Sequence, residues 1–556
     1  MNTHRTTLTA NLELVQKQLP GFRRGQSHFP CGKIGTVPRL FTYELLALAV
    51  LLGIATPMFA KPNVVLIVCD DLNDFVTGMD GHPQARTPNI EKLANSGVSF
   101  QRAYSNVPIC APSRSSFMTG IYAHTSRNMH FKNWRENPVL ANCMTLSEYF
   151  RLGGYHTAGS GKVMHHVHAD LWHEYKYKPD YGPFVYDGKQ RVGHPSVPEP
   201  FRSIGAVDGS FAPLSDLPYG PNPGGNKGWI YGTWGRVEPL RYNSPTDRDP
   251  TPDERNAAWA TGRIGQFAKQ PDGKPFFLAV GFIRPHTPLH VPKRFFEMFP
   301  KDTLKLPVIK PGDAEDTHYA DVFNPEVKGL KYFRLLKESY PNLDDGIKAF
   351  LQAYLASIAA VDDCIGQVVD AVDRAGLADN TIIVLTSDHG WNMCEKDYLF
   401  KNSLWEESTR VPLVIRAPGV TTKAGIAEHP VSLIDLYPTL KDLCGLNGKT
   451  LKNDKWWPKL EGHSMRPFLA DPKSRTWTGP DFALSMITAQ GAANDPARQH
   501  YSVRTERWRY IRYNNGSEEL YDHANDPYEW TNLATVPEHA ATLAEMRRRL
   551  PECVPR

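Results

Sequence analysis

Cysteine is scarce in this chain, and no two cysteines lie close together. Eight occur in 556 residues, at positions 31, 69, 110, 143, 364, 394, 444 and 553, with no C-x-x-C. That spacing excludes the common zinc and redox patterns, and the density is too low for a disulfide scaffold. Long apolar runs are missing as well. The best candidate, residues 45–55, is eleven residues long, short of the ~20 that a membrane-spanning helix requires. Charge of one sign is not in excess either. Residues 1–60 hold six basic and two acidic side chains, which accounts for the whole formal charge of +4 and leaves 57 of each sign in residues 61–556. A global basic footprint for nucleic acid is thereby excluded. Repeats and low-complexity tracts are also absent.

The apolar run at 45–55, with Arg39 before it and Ala60 just ahead of globular sequence, suits the apolar region of a signal peptide. A short buried helix is the alternative. Residues 1–60 are therefore expected to be a leader, and the mature chain to be periplasmic or secreted rather than integral to a membrane. Glu44 beside the run and Met58 three residues from its expected end depart from the usual leader pattern.

The remainder alternates between strand and helix signals. Residues 63–69 (NVVLIVC) are almost continuously apolar and end at Asp70-Asp71, as in a strand buried on both faces of a mostly parallel sheet. Residues 276–280, 381–386 and 411–415 read as further buried strands. Thr87-Pro88 opens a helix with Leu93, Ala94 and Val98 on one face, and residues 349–372 have helical periodicity. Residues 170–260, rich in Pro, Gly and Tyr, read as long loops. Past Gly445 the pattern changes, and residues 507–522 around Asn514-Asn515-Gly516 read as a β-hairpin. The expected architecture is a doubly wound α/β domain over 61–444 and a smaller α+β subdomain over 445–556.

In such folds, sites form at the carboxyl ends of the strands. Asp70-Asp71 follow the first strand, Arg284-Pro285-His286 the second, and Asp388-His389 the third. Three carboxylates brought together would repel one another, so a divalent cation is their natural partner. Oxygen ligands favour Ca²⁺ or Mg²⁺ over zinc. The other reading of any single Asp after a strand is a helix N-cap.

One motif narrows the chemistry. Cys110-Ala111-Pro112-Ser113-Arg114, followed by Thr119-Gly120, resembles the signature of type I sulfatases, and Leu520-Tyr521-Asp522 with Asp526-Pro527 resembles their tail. Gly161-Lys162-Val163 with His165, Pro285-His286, and Ser387-Asp388-His389-Gly390-Trp391 resemble the iduronate-2-sulfatase-like branch. The resemblance implies an alkaline-phosphatase-like fold and hydrolysis of sulfate esters on a sulfated saccharide. It also implies oxidation of Cys110 to Cα-formylglycine by a maturation enzyme. It assigns one Ca²⁺ to Asp70, Asp71, Asp388, His389 and position 110. Arg114 would stabilise the hydrated aldehyde, Lys162 and Lys401 would grip sulfate oxygens, His165 would assist turnover, and His286 would protonate the leaving oxygen. With the leader removed and Cys110 modified, six cysteines would be left, an even number that permits pairing.

Alternatives stay open at this point. Phosphonate or phosphate monoester hydrolases and choline sulfatases share this superfamily, and a non-catalytic glycan-binding relative would share the scaffold. Lys162 reads equally as a loop lysine, His165-His166 with His168 as a solvated turn, and Lys401 as a partner for Glu406 or Glu407. The chain departs from the family at Cys394-Glu395-Lys396-Asp397 and at Asn402, so the sugar is not specified.

Overall fold

The computed structural model describes residues 61–217, 227–232, 237–270, 273–453 and 459–554. The expected leader lies outside the described residues.

The core is an eight-stranded sheet. Its strands in chain order are β1 (Asn63–Asp70), β2 (Val98–Phe100), β3 (His156–Gly161), β4 (Glu174–Tyr175), β5 (Phe276–Pro285), β6 (Thr381–Ser387), β7 (Leu413–Arg416) and β8 (Gly425–Ala427). Their order across the sheet is β8-β2-β7-β6-β1-β5-β3-β4. β1 runs parallel to both β5 and β6, whereas β7 is antiparallel to β6 and to β2. Every residue of β1, β5 and β6 is buried. This is the reason they are apolar without alternation.

Helices cover both faces. α1 (Pro88–Ala94), α3 (Pro252–Phe267) and α4 (Leu343–Arg374) pack over one face, where Ile264, Leu355 and Ile358 meet Val65, Ile67 and Leu278 in a single core. α2 (Cys110–Thr119) lies over the other, with Phe117 and Met118 against Val64, Leu66 and Phe277. Farther along, β9 (Phe482–Ile487), β10 (His500–Thr505), β11 (Trp508–Arg512) and β12 (Glu518–Asp522) form an antiparallel sheet in sequential order. The expected hairpin is β11–β12, turning at Gly516 with φ of +99°.

Several local expectations need correction. Val98 does not extend the first helix; it begins β2, after that helix has ended at Ala94. The run 411–415 is split by Pro412, so that Val411 pairs with Ala103 in a separate small sheet and only Leu413 onward joins the main one. Residues 170–260 are not only loops. Short strands such as Phe184–Asp187 occur there, and so does the start of α3, whose capping box joins Thr251 and Glu254. The described cysteines are all free, five of them besides Cys110 buried and Cys553 exposed.

Candidate active site

The carboxyl ends of β1, β5 and β6 and the N-terminus of α2 converge. β1 hands over Asp70 as its last residue, and Asp71 comes next with a φ of +65°. That left-handed conformation is tolerated by Asp better than by most residues. It turns the chain so that two successive carboxylates enter one site. Tyr354 of α4 donates to the Asp71 carbonyl at 2.6 Å and fixes the turn.

Asp388 and His389 come directly after β6. The Asp388 carbonyl accepts from Ser105 Oγ and from Ser113 Oγ, each at 2.6 Å. Its carboxylate Oδ2 accepts from Arg114 Nε at 2.8 Å. Arg114 is fully buried; its Nη2 donates to the Cys69 carbonyl at 3.0 Å and its Nη1 to the Lys162 carbonyl. Lys162 comes directly after β3 and donates to Asp70 Oδ2. A close backbone approach places it there, since the Lys162 amide donates to the Gly281 carbonyl at 2.8 Å. A Cβ on Gly281 would lie 2.0 Å from the Lys162 carbonyl carbon.

Cys110 is the first residue of α2. Its sulfur is 3.3 Å from Lys401 Nζ and 3.3 Å from His389 Nε2. Lys401 Nζ also donates to Asp71 Oδ1 at 2.6 Å. His286 Nε2 lies 3.9 Å from Asp71 Oδ2, while its Nδ1 faces the Thr287 carbonyl at 2.5 Å. A carbonyl can only accept, so the neutral ring carries its proton on Nδ1 and turns an open Nε2 toward the site. His165 lines the same cavity, with its buried Nδ1 unpartnered. Its ring meets Phe131 edge-on at 5.1 Å.

Burial sets the proton affinities, and neighbouring charges then divide them. Burial pushes the Asp71 carboxyl up to about 8, against the pull of Lys401. Asp70 is as deeply buried, yet the cations beside it, Lys162 first and Arg114 with it, outweigh burial and hold it well below the usual range. Burial, then the charge of Asp70, push the Cys110 thiol up, so the encoded cysteine is not a thiolate at neutral pH. Burial, then Lys162, lower His165 to about 3. Burial, then Lys401, hold His286 well below its ordinary value.

The donor set fits a hard cation. Asp70 Oδ1 and Asp71 Oδ2 are buried without a hydrogen-bond partner. One ligand atom each from Asp70, Cys110, Asp388 and His389 lie within 4.8 Å of one another, as do atoms of Asp70, Asp71, Cys110 and His286. A divalent ion would give both orphaned oxygens a partner and remove the reason for Asp71 to hold a proton.

Of the residues singled out in the sequence, Cys110, His165, His286 and Lys401 line a cavity of about 750 Å³, while Asp70, Asp71, Arg114, Lys162, Asp388 and His389 are fully buried in the cluster around Cys110. Sequence reasoning missed others. Tyr181 has its ring 4.7 Å from Lys162 Nζ and 4.9 Å from the His286 ring. Asp208 accepts from Thr287 Oγ1 at 2.7 Å and from Tyr332 at 2.6 Å. Both sit in the irregular 170–260 stretch, where no periodicity marks an inward-facing position. Of the family departures, Asn402 donates its amide to the Pro108 carbonyl at 2.9 Å, whereas Lys396 turns away to Asp313 at 2.8 Å.

Comparison with known proteins agrees with this geometry. The Sulfatase family profile matches residues 62–446, and one described as N-sulphoglucosamine sulphohydrolase, C-terminal matches residues 394–555. A sulfatase of Formosa agariphila is 32% identical over 504 residues, covering 88% of this chain and 87% of that protein. The iduronate 2-sulfatase of Mus musculus is 29% identical over 429 residues, 69% of each chain. The crystal structure of the phosphonate monoester hydrolase of Agrobacterium radiobacter superposes with a TM-score of 0.62 at 22% identity, over 88% of this chain and 94% of that one. With an alkaline-phosphatase-like fold, the signature at Cys110 and the family match over most of its length, the chain belongs to the sulfatases and is a sulfuric ester hydrolase.

Proposed function

We propose that the enzyme cleaves sulfate esters of a sulfated glycan, through Cα-formylglycine made from Cys110 and with one Ca²⁺ held by Asp70, Asp71, Asp388 and His389. The observation that carries this reading is the place of Cys110. It is a poor thiolate at the N-terminus of α2, between Lys401 and His389 and beside three carboxylates. Formylglycine supplies, as its hydrate, an oxygen nucleophile for sulfur, which the buried thiol itself does not offer.

The chain's own residues then divide the remaining work. Three buried cations, Arg114, Lys162 and Lys401, face three buried carboxylates. A divalent ion tips that balance positive, toward a sulfate ester. In the ion's absence Lys162 and Lys401 pair with Asp70 and Asp71; an ion on those carboxylates would release both ammonium groups to sulfate oxygens. Arg114 spans Asp388, the Lys162 carbonyl and Cys69, and so orients the metal face and the sulfate face together. His286 is positioned to protonate a leaving oxygen once sulfate raises its proton affinity, and His165 to move a proton at residue 110. Among the described residues, no cavity-lining side chain comes from beyond Lys401. That supports a catalytic domain over 61–444 and a supporting subdomain over 445–556. No helix among the described residues is long and apolar enough to cross a membrane. A periplasmic or secreted location rests on the leader, and maturation of Cys110 requires a formylglycine-generating partner.

The test is the mass of the peptide containing residue 110. Conversion removes one sulfur and two hydrogens and adds one oxygen. Cys110→Ala should lower sulfatase kcat by several orders of magnitude with the fold intact, because a nucleophile lowers the barrier rather than filling the core. Near-normal turnover by that variant would overturn the reading. The fold likeness to a phosphonate monoester hydrolase supplies the second reading. Higher kcat/KM on an aryl phosphonate than on an aryl sulfate would favour it.

A further inference from the structure

The cavity in front of Cys110 is far larger than a sulfate group, and its walls are aromatic. Such a lining suggests two opposite ligands. Bare ring faces are how proteins hold quaternary ammonium groups. Rings that already carry the protein's own cations present positive charge instead, and they suit an anion.

Four of the five Phe and Tyr rings at this cavity belong to the second kind. Tyr181 has Lys162 Nζ 4.7 Å from its centroid, and Phe184 has the Arg191 guanidinium at 4.7 Å. Lys328 Nζ lies 5.0 Å from the centroid of Phe400 and 5.9 Å from that of Tyr332. Lys401 shares Phe400 at 5.5 Å. The fifth ring, Phe131, is 50% exposed at the mouth.

Lys328 differs from the lysines beside Cys110. It lines the cavity, but its side chain is 57% exposed, and its ion-pair partner is Asp208, at 2.9 Å, rather than a carboxylate of the metal face. Asp208 does not depend on that partner alone, since Tyr332 and Thr287 also donate to it, at 2.6 and 2.7 Å. Lys328 can therefore turn to a ligand and leave Asp208 with two hydrogen bonds. Lys178, also exposed, lines the same cavity.

Resting on the sulfatase reading above, we propose that the substrate carries a second anionic group, a carboxylate or another sulfate, remote from the ester that is cleaved, and that Lys328 is the residue that recognises it. The same charges exclude a quaternary ammonium alcohol as the leaving group.

The test compares three sulfate esters. One is a monosaccharide with a free carboxylate, the second is its carboxyl methyl ester, and the third is the sulfate ester of a quaternary ammonium alcohol. The wild-type enzyme should prefer the free acid over the methyl ester by at least about tenfold in kcat/KM, the size of one charge-assisted hydrogen bond. The difference should lie mainly in KM and shrink with added salt. Lys328→Ala should bring the acid-to-ester ratio close to one, and Lys328→Arg should retain most of it. The quaternary ammonium ester should be the poorest of the three. An enzyme that cleaves sulfate esters with equal kcat/KM for acid and methyl ester overturns this inference and leaves the sulfatase reading intact. So does a Lys328→Ala variant that keeps the preference, or a wild-type enzyme that favours the quaternary ammonium ester. Failure to cleave any of the three, or an aryl sulfate, counts against the sulfatase reading itself.

Discussion

Gly281→Ala is the substitution by which the placement of Lys162 can be tested without touching a charged group. Gly281 lies in β5 opposite Gly161, and a Cβ there would sit 2.0 Å from the Lys162 carbonyl carbon and 2.3 Å from its oxygen. Ordinary contact begins at 3.4 Å, so the Lys162 peptide must retreat by about 1.4 Å. No flexible side chain can absorb that, because the obstructing atoms are backbone. Arg114 moves with it, since its Nη1 donates to the same carbonyl. Misplacing a positioned group by ~1 Å costs about 10²-fold in rate, which corresponds to about 2.7 kcal/mol in the barrier. Overpacking in the sheet core adds a stability loss of about 1–3 kcal/mol. The assay is kcat/KM on an aryl sulfate beside thermal unfolding of the same preparation. Gly262→Ala is the control. It lies within α3, nothing stands within 4 Å of the added Cβ, and it should gain about 0.5–1 kcal/mol in stability. A folded Gly281→Ala enzyme with kcat/KM within about twofold of wild type, against the ~10² expected, refutes the argument that this backbone approach sets the site.

Asp388→Asn removes one formal charge from the metal face and from the ion pair with Arg114, so Ca²⁺ content by elemental analysis and turnover should fall together; full activity in wild type stripped of metal would contradict the assignment. His286→Ala should lose about 10²–10⁴ more on a sulfated sugar than on a nitrophenyl sulfate, because only the sugar alcohol needs a proton to leave; equal losses would restrict His286 to holding sulfate. Burial pushes the Asp435 carboxyl up to about 7 although it accepts from the His463 and Ser432 amides. A raised carboxyl stabilises the fold fully only below its unfolded value of ~3.9, and this contribution is lost as pH rises through about 7. The melting temperature of wild type relative to Asp435→Asn should therefore decline from pH 4 to pH 8, and a difference independent of pH would contradict the assigned burial.

Residues buried on both sides of a sheet have no choice of polarity, and this is why β1, β5 and β6 stand out in the sequence as short apolar runs. The residues just past the end of such a strand in a parallel sheet must lie at its carboxyl edge, so Asp70, His286 and Asp388 could be grouped from their positions in the chain. The signature at Cys110 likewise rests on neighbours in sequence, because the first turn of one helix presents Cys110 and Arg114 together. Tertiary structure alone decided the rest. Whether Lys162 faced solvent or Asp70 depended on how closely two glycine-containing strands approach, and a glycine in a sequence does not name its neighbour. Asp71 and Asp70, adjacent and chemically identical, acquire opposite proton affinities only in the fold, where burial outweighs the pull of Lys401 on Asp71 while Lys162 with Arg114 outweighs burial on Asp70. The cavity wall at Tyr181, Asp208 and Lys328 comes from irregular segments and a separate helix. At Tyr181 and Asp208 the backbone repeats no period, and Lys328 is the first residue of its helix, Lys328–Ser339, so position in the chain does not say that these side chains face one cavity, and only the packed fold supplies it.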